Sequence, residues 1–173
     1  MVAYNNYVQD GCVMEVVFER FLSQHKATFK LVNTNLNSKQ LVNLALKTYP
    51  KKVESYLRNS GRQVASLFEK EADWLLDTFF NPDYLLEVEV EDRTLVVAVD
   101  VTLNADKLYH KELSMGKTTS VFPTLGIDMG IIILISEDTN FTDKQSSYKI
   151  AGQLLMAIED LYFAEKSVGS VVI

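Results

Sequence analysis

Residues 81–102 read NPDYLLEVEVEDRTLVVAVDVT, and how this stretch folds decides how the rest of the chain is arranged. Two apolar runs flank a short polar segment, Glu91-Asp92-Arg93. In each run apolar residues recur at the period of two that a β-strand imposes. The pattern predicts a hairpin with strands 84–90 and 94–102. Two acids sit at its open end. Asp83 follows Pro82, and Asp100 interrupts an otherwise oily strand where valine would pack better. A carboxylate placed inside such a strand carries a desolvation cost unless something compensates it.

Working outward, residues 12–25 (CVMEVVFERFLSQH) carry Val13, Val17, Phe21 and Met14, Phe18, Leu22 at helical spacing. ATFKLVN (27–33) alternates as a short strand. Ser38 is placed to cap a helix over 39–49, and Pro50 opens the first turn of another. A long helix follows over about 62–80. Beyond the hairpin, Asn104 caps a helix running to about Leu113, and 114–128 reads as loop or irregular helix. MGIIILISE (129–137) is continuously apolar, as in a strand covered on both faces. Thr142 is expected to cap the last helix, 143–165, whose stripe is Ile150, Ala151, Leu154, Leu155, Ile158, Leu161 and Tyr162. The tail SVGSVVI reads as an edge strand or a frayed end. This order predicts one α/β domain over 1–173, with a mixed sheet flanked by helices and strand 94–102 at its centre.

The chain has 173 residues, 47% of them hydrophobic and 23% charged, in keeping with an ordinary globular domain. No apolar run approaches the length of a membrane helix, and the first residues lack the basic and apolar regions of a signal peptide. Cys12 is the one cysteine, so an internal disulfide or a cysteine metal site is excluded, and a reducing cytoplasm is expected. The net charge of −6 argues against an all-over nucleic-acid coat. It is unevenly spread. From Lys39 to Arg62 there are six cations and one acid, whereas from Gln63 to Asp100 there are ten acids and two cations. A basic segment beside an acidic one suits a phosphate-facing edge next to a metal-facing one. Two solvated helix faces that neutralise each other would look the same.

With Pro82-Asp83 before one strand and Asp100-Val101-Thr102 on the next, the chain resembles the PD-(D/E)xK, or restriction-endonuclease-like, nuclease superfamily. That resemblance implies an α-β-β-β-α-β core with 12–25 and 27–33 as its first elements and a helical insertion over about 38–80. It also implies a metal-dependent nuclease that hydrolyses phosphodiester bonds. Asp83 and Asp100 would hold Mg²⁺, or alternatively Mn²⁺, with Glu15 as a further acid from the first helix. A hard cation of this kind prefers oxygen ligands and keeps several waters. Val96, Ala98, Asp100 and Thr102 share one strand face, so the motif positions point the same way. The sequence departs from the pattern at Thr102, which stands where the motif has lysine. Lys107 and Lys111, on the following helix, are the candidates to supply that charge. Lys47, Lys51, Lys52, Arg58 and Arg62 are the expected phosphate contacts if nucleic acid binds.

The loss of the motif lysine equally fits a catalytically inactive, nuclease-like protein that acts through protein–protein contacts. The apolar segments 131–135 and 150–162 would then serve a dimer or a protein partner. His25 and His110 lack metal-site spacing. GKTTS (116–120) has neither the upstream glycine nor the strand-loop-helix setting of a phosphate loop.

Overall fold

A computed structural model describes residues 14–34, 38–59 and 82–173. The elements in chain order are α1 (14–24), β1 (Phe29–Thr34), α2 (Ser38–Thr48), α3 (Pro50–Asn59), β2 (Tyr84–Val90), β3 (Arg93–Thr102), α4 (Ala105–Gly116), β4 (Met129–Leu134), α5 (Lys144–Phe163) and β5 (Val168–Val172). Two single turns of 3₁₀ helix, Thr119–Val121 and Pro123–Leu125, occupy the stretch before β4. The helix expected over 62–80 lies outside the described residues, as does Cys12.

The five strands form one mixed sheet in the order β1-β2-β3-β4-β5. β1, β2 and β3 form an antiparallel meander, and β4 and β5 are parallel to their neighbours. β3 is therefore central, as its two-sided apolar sequence requires, with Leu95 to Val99 all buried. The tail is an ordered edge strand rather than a frayed end. Arg93 is not a turn residue, because it pairs with Val90. The hairpin instead turns on Glu91-Asp92, with Glu91 in the left-handed region at φ 55°.

Alternation sorts the strand side chains onto two faces. On one, Leu86, Val97, Val99, Ile131 and Ile133 pack beneath Phe18, Phe21 and Leu22 of α1 and Ile150, Leu154 and Ile158 of α5. On the other, Leu85, Val96, Ala98 and Ile132 pack against Met115 of α4 and Val121, Phe122 and Leu125 of the 3₁₀ turns. Gly130 of β4 lies so close to Met115 that a Cβ there would collide with its sulfur. That contact seats α4 on the sheet, and α4 carries the lysines of interest.

Polar caps set two helix starts. Asn104 accepts a hydrogen bond from the Asp106 amide (2.9 Å) and so begins α4 where expected. At α5 the cap is Asp143 rather than Thr142. Its carboxylate accepts from the Ser146 amide at 2.9 Å, which holds its pKa below the usual carboxylate range. Thr142 and Asp143 both donate their amides to Asn140 Oδ1, so the preceding turn advances the helix start by one residue.

Candidate metal centre at the end of the central strand

The β2–β3 register puts Tyr84 opposite Val99, so one step further sets Asp83 beside Asp100. The two acids then bond reciprocally through each other's backbone. Asp83 N–H donates to Asp100 Oδ1 at 3.1 Å, and Val101 N–H donates to Asp83 Oδ2 at 2.8 Å. Each carboxylate thus stands in for a strand carbonyl at the frayed end of the ladder. The second oxygen of each has no hydrogen-bond partner among the described residues. Neither acid has a cation within salt-bridge distance there either.

Burial pushes the Asp100 carboxyl above its ordinary pKa, and the neighbouring Asp83 carboxylate adds to that rise. Lys111 and the hydrogen bond from Asp83 pull the other way without cancelling it. Negative charge gathers on this end of the sheet from α1 as well. Tyr84 has its phenol pKa raised by burial and then by the fields of Glu19, Glu15 and Asp83.

A cleft of about 490 Å³ opens here between α1, α4 and the strand ends. Glu15, Asp83, Thr102, Asn104, Lys107 and Lys111 all line it, so the topology brings together most residues expected at the metal site, though not the basic segment. Asp100 reaches the cleft through Asp83 instead of forming its wall. Thr102 does not replace the missing lysine. Its buried hydroxyl donates to the Asn104 carbonyl (3.3 Å) and accepts from the Asn104 amide (3.2 Å), which ends β3 and starts the turn into α4.

The basic segment is partly committed to the fold. Lys52 forms an ion pair with Asp128, whose carboxylate also accepts the Val96 amide at 2.8 Å, so it is engaged in a contact of the fold. Lys47 and Lys51 are exposed. The Arg58 side chain and Arg62 lie outside the described residues.

A further polar contact was not legible in the sequence. His25 Nε2 and Ser147 Oγ are 2.6 Å apart and both side chains are buried, with the imidazole packed against Phe21 and Tyr148. Burial lowers the His25 pKa and favours the neutral ring. The pair ties the end of α1 to the first turns of α5, and so fixes the helix that carries Glu15 to the cleft. The GKTTS stretch runs from the C-terminal end of α4 into a 3₁₀ turn, the wrong end of a helix for a phosphate.

These donors suit a hard cation. Magnesium is commonly held by one or two carboxylates with the rest of its shell from water, and Asp83 and Asp100 each keep one oxygen for such a role. No cluster of three or more His, Cys, Asp or Glu side chains placed to hold a metal occurs among the described residues. No helix among them is long and apolar enough to cross a membrane. No protein-family model, curated protein or solved structure matches the chain.

Proposed function

We propose that this cleft binds a divalent cation, Mg²⁺ or Mn²⁺, and hydrolyses phosphodiester bonds of nucleic acid. The observation that carries the reading is Asp100. The chain keeps a carboxylate in its central strand against a second carboxylate and opposes the raised pKa with the Asp83 amide and with Lys111, which lies beyond salt-bridge distance. Such an arrangement costs stability unless a cation arrives to share both charges. The order α1-β1-β2-β3-α4-β4, interrupted by α2 and α3, supports it, because it is the order that the nuclease resemblance implies.

Asp83 and Asp100 would hold the ion, with Glu15 facing it across the cleft. When bound, the cation polarises a phosphate oxygen and lowers the pKa of a coordinated water. Lys107 and Lys111 enter from α4 and place positive charge where a phosphate would meet the cleft, a task Thr102 cannot perform. Lys47 and Lys51 remain as outlying phosphate contacts, so binding should weaken steeply with salt.

The test is cleavage of single- and double-stranded DNA and RNA with Mg²⁺ or Mn²⁺. Asp100→Asn, which keeps an acceptor for the Asp83 amide, should abolish cleavage while leaving the fold intact. The reciprocal hydrogen bonds favour a second reading, since they form a closed structural clasp without any ion. If no divalent cation supports cleavage and Asp100→Asn is simply more stable, the protein is a non-catalytic binding or regulatory module.

A further inference from the structure

The apolar segments that suggested a partner surface, 131–135 and 150–162, bury their stripes in the core. The opposite face of α5 is left in solvent. Tyr148, Met156 and Phe163 are exposed there by 63%, 62% and 58%. Tyr148, Gly152, Met156 and Asp160 follow one another at intervals of four, so they form one ridge along the helix. That ridge has a notch. A Cβ built on Gly152 meets nothing within 4 Å.

The charges beside the ridge are arranged by sign. Lys149 lies toward the start of α5 and Asp160 toward its end, and eleven residues apart at 3.6 per turn they project in nearly the same direction. Neither has an ion-pair partner among the described residues, and neither has an opposite charge three or four positions away on its own helix. A partner helix running the other way would meet that need. A two-fold axis at the level between Leu154 and Leu155 sets Lys149 beside the partner's Asp160 and Asp160 beside the partner's Lys149. The two ion pairs would stand about 16 Å apart along the helix at its rise of ~1.5 Å per residue. The same operation seats Met156 in the notch at the partner's Gly152, and does so twice.

We propose that this face of α5 is the interface of a two-fold symmetric homodimer, with two copies of α5 packed antiparallel. A two-fold contact requires one patch complementary to itself, and this one matches in both shape and charge. A parallel pairing would hold Lys149 and the partner's Asp160 about 16 Å apart along the helix and so form neither ion pair. The surface lies apart from the Asp83 cleft and does not depend on what that cleft does.

Sedimentation velocity across a range of concentrations tests the proposal on the full chain. The wild-type chain is expected to dimerise. Lys149→Glu sets two like charges together at each of the two sites and should weaken the dimer about tenfold or more. Lys149→Glu combined with Asp160→Lys restores the pairs in reversed order and should recover the affinity. Gly152→Gln fills the notch without meeting anything in its own chain and should give a monomer with unchanged circular dichroism. A chain that stays monomeric at millimolar concentration overturns the interface. So does a dimer indifferent to Lys149→Glu and Gly152→Gln, which would place the contact on another surface. Failure of the charge swap to rescue overturns the antiparallel register.

Discussion

Aspartates mark both ends of β3, and the two ends are treated in opposite ways. At one end Asp128 brackets Val96, accepting its amide with the carboxylate and donating its own amide to the Val96 carbonyl, both at 2.8 Å. Lys52 then neutralises the carboxylate. At the other end the clasp between Asp83 and Asp100 extends the strand ladder in the same manner, but it brings a second carboxylate where a cation would be expected. The first end is electrostatically complete. The second is not, and the incomplete end is the one that opens into the cleft. Both acids satisfy backbone amides, so hydrogen bonding alone does not separate a structural aspartate from a candidate ligand. The charge placed beside it does.

Five experiments probe this contrast, in decreasing order of expected effect. Asp128→Ala removes the acceptor of a buried amide and should destabilise the protein by about 1–3 kcal/mol in urea unfolding. A loss no larger than that of Lys52→Met would show the amide bond to be unimportant. Asp83→Ala leaves the Val101 amide unpaired at a half-buried strand end. Its cost should fall at the lower end of the same range, about 1 kcal/mol. Lys52→Met removes only a half-exposed ion pair and should cost less than about 1 kcal/mol.

The last two concern pH. A carboxyl whose pKa is raised by folding stabilises the native state while protonated, and that contribution is lost as pH rises through its folded value. Asp100→Asn should therefore be more stable than wild type at neutral pH in cation-free buffer. The gap should close as the pH falls toward the ordinary carboxylate range. Lys111→Met removes the cation that opposes this rise among the described residues and should raise the Asp100 pKa further, read from carboxyl carbon chemical shifts. A downward movement would show that Lys111 does not act on Asp100.

The sequence revealed the parts of this molecule that depend on local period. The alternation in 84–90 and 94–102 gave the hairpin and the face shared by Ala98, Asp100 and Thr102, and the apolar run from Met129 gave a strand buried on both faces. It missed the exact turn. Glu91 takes a left-handed conformation that glycine or asparagine normally signals, so Arg93 passed for a loop residue. Pairings across the fold were also invisible. The bonds from Asp128 to Val96 and from His25 to Ser147 join residues 32 and 122 positions apart. No periodicity reports such a contact, and for the same reason Lys52 read as a free cation. Thr102 was recognised as a departure from lysine. Its use as a strand-ending hydroxyl became clear only once the turn to Asn104 was placed.

The central claim is that Asp100 is left uncompensated for the sake of a cation. Thermal unfolding at neutral pH with increasing Mg²⁺ or Mn²⁺, for wild type and Asp100→Asn, tests it without assuming any activity. The wild type should gain stability progressively, by about 2.7 kcal/mol when the ion is a hundredfold above its dissociation constant, while Asp100→Asn stays flat. Equal response of the two proteins, or no response of the wild type, would contradict the account.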